Sequence, residues 1–425
     1  MKVLWLSNIV FPFPAKKIGQ EKSCYGGWMT SLADTLSSNL NVQLAIASFY
    51  SGKKLLKYCD KNIIYYLIPG RLSIKKDNKM IPFFNQINDE FKPDITHIHG
   101  TEYAHGLTYL SSNYKSKIIT SIQGIASSIY LHYLDGLNGL DVLKYITIRD
   151  IIKQDNLFQQ RDKFYKQSLN EKVIIKRSDA VIGRTLYDYC YSLNFNPKIK
   201  YFHCYETLRS GFKNIDWNIN KIERNTIFCT QASYPIKGFH ILLKALYNLK
   251  QENESFKLFV GGNNIYNTTT LLSKLKQTGY SRYILSLIKK YNLEDDIIFL
   301  GNLSETEIIE RLKKTHVFVL PSSVENSSTS LNEAMTMGLP CIATNSGGTP
   351  SMINDEVEGL LYNFNEDVVL SYNIKRIIHD DDLAIQLSKR AKKRSNLRNN
   401  SEDIASRTLN IYEELLGSGI DGKIN

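Results

Sequence analysis

Long apolar runs are missing from this 425-residue chain: none approaches the ~18 residues that a bilayer-crossing helix requires. The N-terminal MKVLWLSNIVFPFP has too short an apolar stretch, and no small-residue cleavage site, to be a secretory leader. These absences predict a soluble, non-secreted chain. The six cysteines (Cys24, Cys59, Cys190, Cys204, Cys229 and Cys341) are scattered with no C-x-x-C pair, which excludes a zinc ribbon and a disulfide framework and fits reduced thiols in a cytosol. No G-x-G-x-x-G joins a strand to a helix, and neither a GK[ST] P-loop nor a G-x-S-x-G elbow is present. A dinucleotide oxidoreductase, an NTPase and an α/β hydrolase therefore lack their defining loops. No Pro/Gly/Ser-rich or single-charge tract interrupts a composition of 43% hydrophobic and 22% charged residues, so disorder, collagen and coiled coil are excluded.

The length suggests two cores of roughly 200 residues each. Net charge is +11, and all of the excess lies in the first half: residues 1–217 hold 29 Lys+Arg against 18 Asp+Glu, residues 218–425 hold 24 against 24. A one-sided positive field points to an anionic partner such as nucleic acid, acidic lipid or a pyrophosphate-linked substrate; the plain alternative is solvated surface lysine.

Short continuous apolar runs, not alternating ones, recur along the chain and predict parallel strands covered on both faces. In the first half they are Val3–Ser7, Val42–Ser48, Ile63–Leu67, Ile95–His99, Lys117–Ile122 and Ala180–Gly183. Helical patterns over Trp28–Asn39, Ile81–Phe91 and a long lysine-bearing segment Leu140–Arg177 separate them. After Tyr201–Cys204, the aperiodic stretch Glu206–Glu223 reads as a hinge. A second βα series follows: Thr226–Cys229, Phe239–Lys250, Lys257–Val260, helices to Tyr291, Ile297–Leu300, Glu305–Lys314, Val317–Leu320, Ser330–Met337 and Pro340–Ala343. The expected architecture is α/β, with two doubly wound halves facing an interdomain cleft. The expected division is residues 1–217, 218–395 and a C-terminal helix over 396–425 that returns to the first domain or caps the second.

The stretch VLPSSVENSSTSLNEAMTMGLPCIATNSGG, residues 319–348, concentrates the chemistry. A buried strand ends at Pro321, a polar loop carries Glu325, and Ser327–Ser330 offer caps to a helix whose first turns contain Glu333. The backbone N–H groups of such a helix start suit a diphosphate. Carboxylates on either flank suit hydroxyls of a ribose and a hexose, while an ordinary capped helix is the plain alternative.

Seven residues between Glu325 and Glu333, followed by E-A-M, G-x-P and S-G-G, resemble the signature of glycosyltransferase family 4. The resemblance covers residues 226–362 clearly and the first half more weakly. It implies the GT-B fold with two Rossmann-like domains, a nucleotide-diphosphate sugar as donor in the second domain, and transfer with retention at the anomeric carbon. It implies that Glu333 holds the ribose, that Glu325 sits by the donor sugar, and that Ser328, Thr329 and Ser330 lie at the phosphates. Lys237, in ASYPIKGFHILLKAL, matches the lysine that neutralises the diphosphate, a charge that builds as the glycosidic bond breaks. Relatives carry an arginine five or six residues earlier; Gln231 and Ala232 stand there, and Arg184 or Arg209 is the expected substitute.

Tyr25-Gly26-Gly27-Trp28 allows close backbone approach, and relatives place such a pair, here Gly26 and Gly27, against the donor. Gln123 stands where many relatives have a histidine by the reacting sugar; it donates a hydrogen bond but is neither acid nor base. Gly261-Gly262 and Gly301-Asn302-Leu303 resemble loops facing the nucleotide, with Asn302 and Leu303 as base contacts. His97, His99 and Glu102 invite a metal reading, set below that of strand-end polar groups lining an acceptor site. Asp380-Asp381-Asp382 reads as helix caps, so no metal and no cofactor besides the donor substrate is expected.

The resulting expectation is a retaining hexosyltransferase using a UDP- or GDP-type sugar and a glycan or lipid-pyrophosphate-linked acceptor in bacterial capsule or exopolysaccharide synthesis. Its expected place is the cytoplasm, with an anionic membrane surface met by Arg71, Lys75, Lys76, Lys79 and the Lys153–Arg177 segment. Two other readings are a nucleotide-sugar epimerase of the same fold and a basic nucleic-acid-binding protein using its tyrosines as stacking platforms. The second leaves Glu325 and Glu333 without a role.

Overall fold

The computed structural model describes residues 1–20, 26–39, 41–265 and 276–417. The chain divides into two compact units, each built on a mainly parallel sheet covered by helices. The first unit takes Met1–Ser127, Phe164–Arg209 and the chain from Arg398 onward; the second takes Ser128–Lys163 and Ser210–Leu397.

Among the described residues, the first sheet has the order β3-β4-β2-β1-β5-β6-β7-β8. Its strands are β1 Lys2–Leu6, β2 Gln43–Tyr50, β3 Leu56–Asp60, β4 Ile63–Pro69, β5 Ile95–His99, β6 Lys117–Ser121, β7 Ala180–Gly183 and β8 Lys200–His203. Val3, Leu4, Trp5 and Leu6 of β1 are all fully buried, as central parallel strands covered on both faces must be. β3 was not expected: it pairs antiparallel with β4 at the sheet edge, and its LKYCD is too polar to read as a buried run. The helix Ser401–Leu416 packs Ile404, Ala405, Ile411 and Tyr412 into the same core as Val3, Trp5 and Leu36. Tyr412 Oη accepts a hydrogen bond from Trp5 Nε1 at 3.0 Å and lies 2.6 Å from His97 Nδ1.

In the second unit the described strands run parallel in the order β11-β10-β9-β12-β13-β14. They are β9 Thr226–Cys229, β10 Lys257–Gly261, β11 Ile297–Gly301, β12 Val317–Leu320, β13 Cys341–Thr344 and β14 Leu360–Tyr362. From β9 the chain winds out through β10 and β11, then returns to the other side of β9 for β12. The strand order therefore reverses between β9 and β12, the position where open α/β sheets leave a crevice at the carboxyl ends of their strands.

The division differs from a single cut at residue 217. The Leu140–Arg177 segment is not one helix but three: Gly139–Lys144, Ile148–Lys153 and Leu157–Arg177. A capping box between Thr147 and Asp150 starts the second of these, and Gln154, at φ +49°, ends it. Residues 128–163 are tied to the second unit by side-chain-to-backbone hydrogen bonds that leave no periodic trace in a sequence. Asp150 accepts from Gly279 N at 2.8 Å, Thr147 Oγ1 donates to Gln277 O at 3.2 Å, and His240 Nε2 lies 3.0 Å from Asp135 O. No helix of the described residues is long and apolar enough to cross a membrane.

Candidate functional site in the loops after the strands

Because the described strands of the second sheet run parallel, the loops after β9, β10, β12 and β13 emerge at one edge. The first of these loops ends in a 3-10 turn, Pro235–Lys237, followed by Gly238 at φ +63°. A Cβ at Gly238 would stand 1.7 Å from Pro321 O, so only glycine lets this turn press on the end of β12. That contact brings Lys237 to Glu325, with Nζ 2.6 Å from Oε1. The lysine side chain keeps 35% exposure and the glutamate 15%.

Glu325 is held from three sides. Ser322 Oγ donates to its Oε1 at 2.8 Å. Its backbone carbonyl accepts from Gly348 N at 2.7 Å, and a Cβ on Gly347 would stand 2.2 Å from that same carbonyl oxygen. The S-G-G of the motif is thus the loop that grips Glu325. Ser323 ties the neighbouring backbone down by donating to His132 O at 3.0 Å.

The helix Thr329–Met337 begins beyond this loop, with Ser328 as its cap accepting from Leu331 N. Ser328 Oγ and Ser330 Oγ lie 3.1 Å apart, and Thr230 Oγ1 after β9 reaches Ser330 Oγ at 3.5 Å. The structure therefore brings Lys237, Glu325, Ser328, Thr329 and Ser330 into one set of adjoining loops. Glu333 lies past the first turn of the same helix, at its middle, and is 4% exposed. Asn302 and Leu303 stand at the carboxyl end of the edge strand β11, just before the Ser304 cap of helix Glu305–Lys313.

Gln231, in the place expected of an arginine, turns back on its own loop: its Oε1 accepts from Ala232 N, Ser233 N and Ser233 Oγ. Gly262, at φ +81°, lies under that amide. Next to it a hollow of about 530 Å³ is lined by Ser233, Tyr234, Asn263, Asn264, Lys276 and Arg149, among others. This volume falls in the range of small-molecule sites.

In the first unit, Gly26 (φ +75°) caps the helix Gly27–Ser37, and a Cβ there would meet Ile9 Cδ1 at 2.2 Å. A Cβ on Gly27 would lie 2.9 Å from Arg209 Cγ, so Arg209 stands beside the glycine pair. Tyr25 and Cys24 lie outside the described residues.

Arg184 is 5% exposed, and its guanidinium is committed within the unit. It pairs with Glu206 and donates to the carbonyls of Ile122 and Gln123. Burial raises the Glu206 carboxyl above its ordinary range, and Arg184 opposes that rise. Gln123 is thereby fixed through its backbone, and its Oε1 lies 3.5 Å from Asn8 Nδ2 after β1.

His97 is likewise committed, its two ring nitrogens 2.6 Å from Tyr412 Oη and 2.6 Å from Ser121 Oγ. His99 stacks on it at 3.9 Å. Burial lowers the His97 imidazole to about 3, and burial together with His97 and His105 lowers His99 well below its ordinary value. Both rings are neutral at pH 7. Among the described residues, no three His, Cys, Asp or Glu side chains are grouped to hold a metal ion. Asp380 accepts from Leu383 N as a cap, and Asp381 pairs with Arg224.

Sequence reasoning singled out Lys237, Glu325 and Ser330 but not Ser322, which bonds Glu325, Ser323, which holds the adjoining backbone, or Thr230, which reaches Ser330. Their only signal was the Ser/Thr-rich character of the loops themselves.

Residues 212–394 match the model of the family described as "Glycosyl transferases group 1". Over 141 residues the chain is 30% identical to N-acetyl-alpha-D-glucosaminyl L-malate synthase of Bacillus anthracis, covering 33% of this chain and 36% of that protein. It is 30% identical over 146 residues to Protein CapJ of Staphylococcus aureus, covering 34% and 32%. These matches span about a third of the length of the curated relatives. Among solved structures, sucrose-phosphate synthase from Thermosynechococcus elongatus superposes with a TM-score of 0.71 at 17% identity, over 99% of this chain and 100% of that one. Anabaena HepE, solved in complex with UDP and glucose, gives 0.65 at 14%, over 97% and 99%. The fold is the mixed α/β class with two Rossmann-like units that the solved GT-B structures share, and the match to the group 1 glycosyltransferase model lies in the second unit.

Proposed function

We propose that the protein is a retaining glycosyltransferase of family 4 that moves a hexose from a UDP- or GDP-type sugar to a glycan or lipid-linked glycan in bacterial surface polysaccharide synthesis, at the cytoplasmic side. The observation that carries this reading is the Lys237–Glu325 pair, held by Ser322 and the Gly347-Gly348 loop ahead of the serine-capped helix that bears Glu333. Sequence similarity to the putative colanic acid biosynthesis glycosyltransferase WcaL of Escherichia coli (26% over 165 residues) supports the polysaccharide setting.

In the free protein Lys237 is neutralised by Glu325. A diphosphate at the start of helix Thr329–Met337 competes for that lysine and releases Glu325 to accept hydrogen bonds from sugar hydroxyls. As the bond from the anomeric carbon to the diphosphate breaks, Lys237 and the helix N–H groups take up the growing negative charge. The new bond forms to the acceptor oxygen, and the departing diphosphate oxygen takes that hydroxyl's proton on the same face. Gln123, held by Arg184 and Asn8, is assigned to hydrogen bonding and not to proton transfer.

The test is a screen of UDP- and GDP-hexoses for thermal stabilisation and for release of nucleoside diphosphate, with the product anomer read by NMR. One donor that both stabilises and turns over, with its anomeric configuration kept, supports the reading. No stabilisation and no release at millimolar donor overturns it. An inverted product removes retention alone, and an altered sugar released without acceptor establishes the epimerase instead.

A further inference from the structure

Two short helices of the second unit are amphipathic in the wrong sense for a soluble surface. In Gly139–Lys144 the outward positions are Leu140, Leu143 and Lys144; in Ile148–Lys153 they are Ile148, Ile151 and Ile152, with Lys153 beside them. Both sets follow the i, i+3, i+4 spacing that puts residues on one helix face. The five leucines and isoleucines are 57–74% exposed, whereas the opposite faces bury Val142, Thr147 and Asp150. Those inner faces are anchored: Asp150 to Gly279 N, Thr147 to Gln277 O, and Tyr145 edge-on to Tyr283 at 5.5 Å. Packing therefore holds the outer faces toward solvent.

We propose that this outward face seats in the interfacial layer of an anionic lipid bilayer. Charge selects this occupant. Between residues 139 and 153 the exposed charged side chains are Lys144 and Lys153. The acids there are turned inward, with Asp150 buried and Asp141 half-buried, and Arg149 is paired with Asp150 and Asp155. Leucine and isoleucine bordered by lysine is the pattern of interfacial helices, whose apolar side chains enter the headgroup–acyl boundary while ammonium groups meet acidic headgroups. A twofold contact between copies of this chain fits less well, because it brings the lysines of both copies onto one face where residues 139–153 offer no exposed acid to meet them. The inference does not rest on the transfer reading: vesicle binding is measured without donor or acceptor, so either can fail alone.

Full-length protein is sedimented with vesicles of equal parts phosphatidylglycerol and phosphatidylcholine at low salt, and with vesicles of phosphatidylcholine only. Wild type is expected to pellet with the anionic vesicles. The combined Leu143→Ser, Ile151→Ser, Ile152→Ser variant should lose about tenfold or more in partition with an unchanged melting temperature, since the side chains removed are exposed. Lys144→Gln with Lys153→Gln should weaken anionic binding by about fivefold per lysine and leave binding to phosphatidylcholine alone unchanged. Failure of wild type to pellet at low salt overturns the proposal, as does equal pelleting of all variants. A vesicle-free dimer that the triple serine variant reduces to a monomer also overturns it, by assigning the face to a second copy.

Discussion

Lys237 Nζ lies 2.6 Å from Glu325 Oε1, so the loops after β9 and β12 meet through opposite charges at the point where the strand order of the second sheet reverses. Lys237→Ala is expected to lower donor turnover by about a hundredfold or more, in the range found when one transition-state charge stabiliser is removed. The pair is part-exposed, so melting should change little. Glu325→Gln, which keeps the shape and removes the charge, should likewise lose activity well ahead of stability. Parallel losses of both would make the pair a structural clamp.

Gly238→Ala forces a side chain into left-handed backbone and against Pro321 O. The strain is expected to destabilise the second unit by roughly 2 kcal/mol or more, and to lower its thermal transition by about 5 °C. Calorimetry checks this, and an unchanged transition would show that the turn moves away without strain.

Arg184→Ala leaves Glu206 and the backbone carbonyls of Ile122 and Gln123 without their cation. The expected outcome is a loss of about 3 kcal/mol in the first unit, read by urea unfolding, because a buried charge loses its partner. Full stability with abolished donor turnover would reassign Arg184 to the phosphates.

Tyr412→Phe removes the acceptor for Trp5 Nε1 and the partner of His97 Nδ1 in a closed core. Leaving those buried groups unsatisfied should lower stability by about 1–3 kcal/mol. Retained urea resistance would mean that the helix Ser401–Leu416 is held by its apolar side chains alone.

The buried imidazoles set an acid limit. With His97 lowered to about 3, the unfolded chain binds a proton below pH 6.5 that the folded chain refuses, so stability falls as pH drops from 6.5 toward 3. His240, lowered by burial to about 4, acts in the same direction, while His132, raised by Asp135, opposes it. In His97→Gln the fall between pH 6 and 5 should be shallower than in wild type by about 1.4 kcal/mol per pH unit. Equal slopes in the two proteins would show that His97 is protonated while folded.

Much of this protein was written in local patterns. Apart from β3, continuous apolar runs marked the strands from β1 to β13, because a parallel strand covered on both faces admits little else. The E-x7-E, G-x-P and S-G-G spacing marked the loop that proved to hold Glu325. Weak edges escaped: β3 is half exposed and β14 spans only Leu360–Tyr362.

Only the tertiary structure decided which residues act on one another across the chain. It gave residues 128–163 to the second unit through Asp150 and Gly279, placed the last helix beside Trp5, and turned Arg184 onto Glu206. Each of these depends on a hydrogen bond or ion pair between groups 22 or more residues apart, well beyond the reach of any helical or strand period, which registers which face a residue takes but not what it meets there.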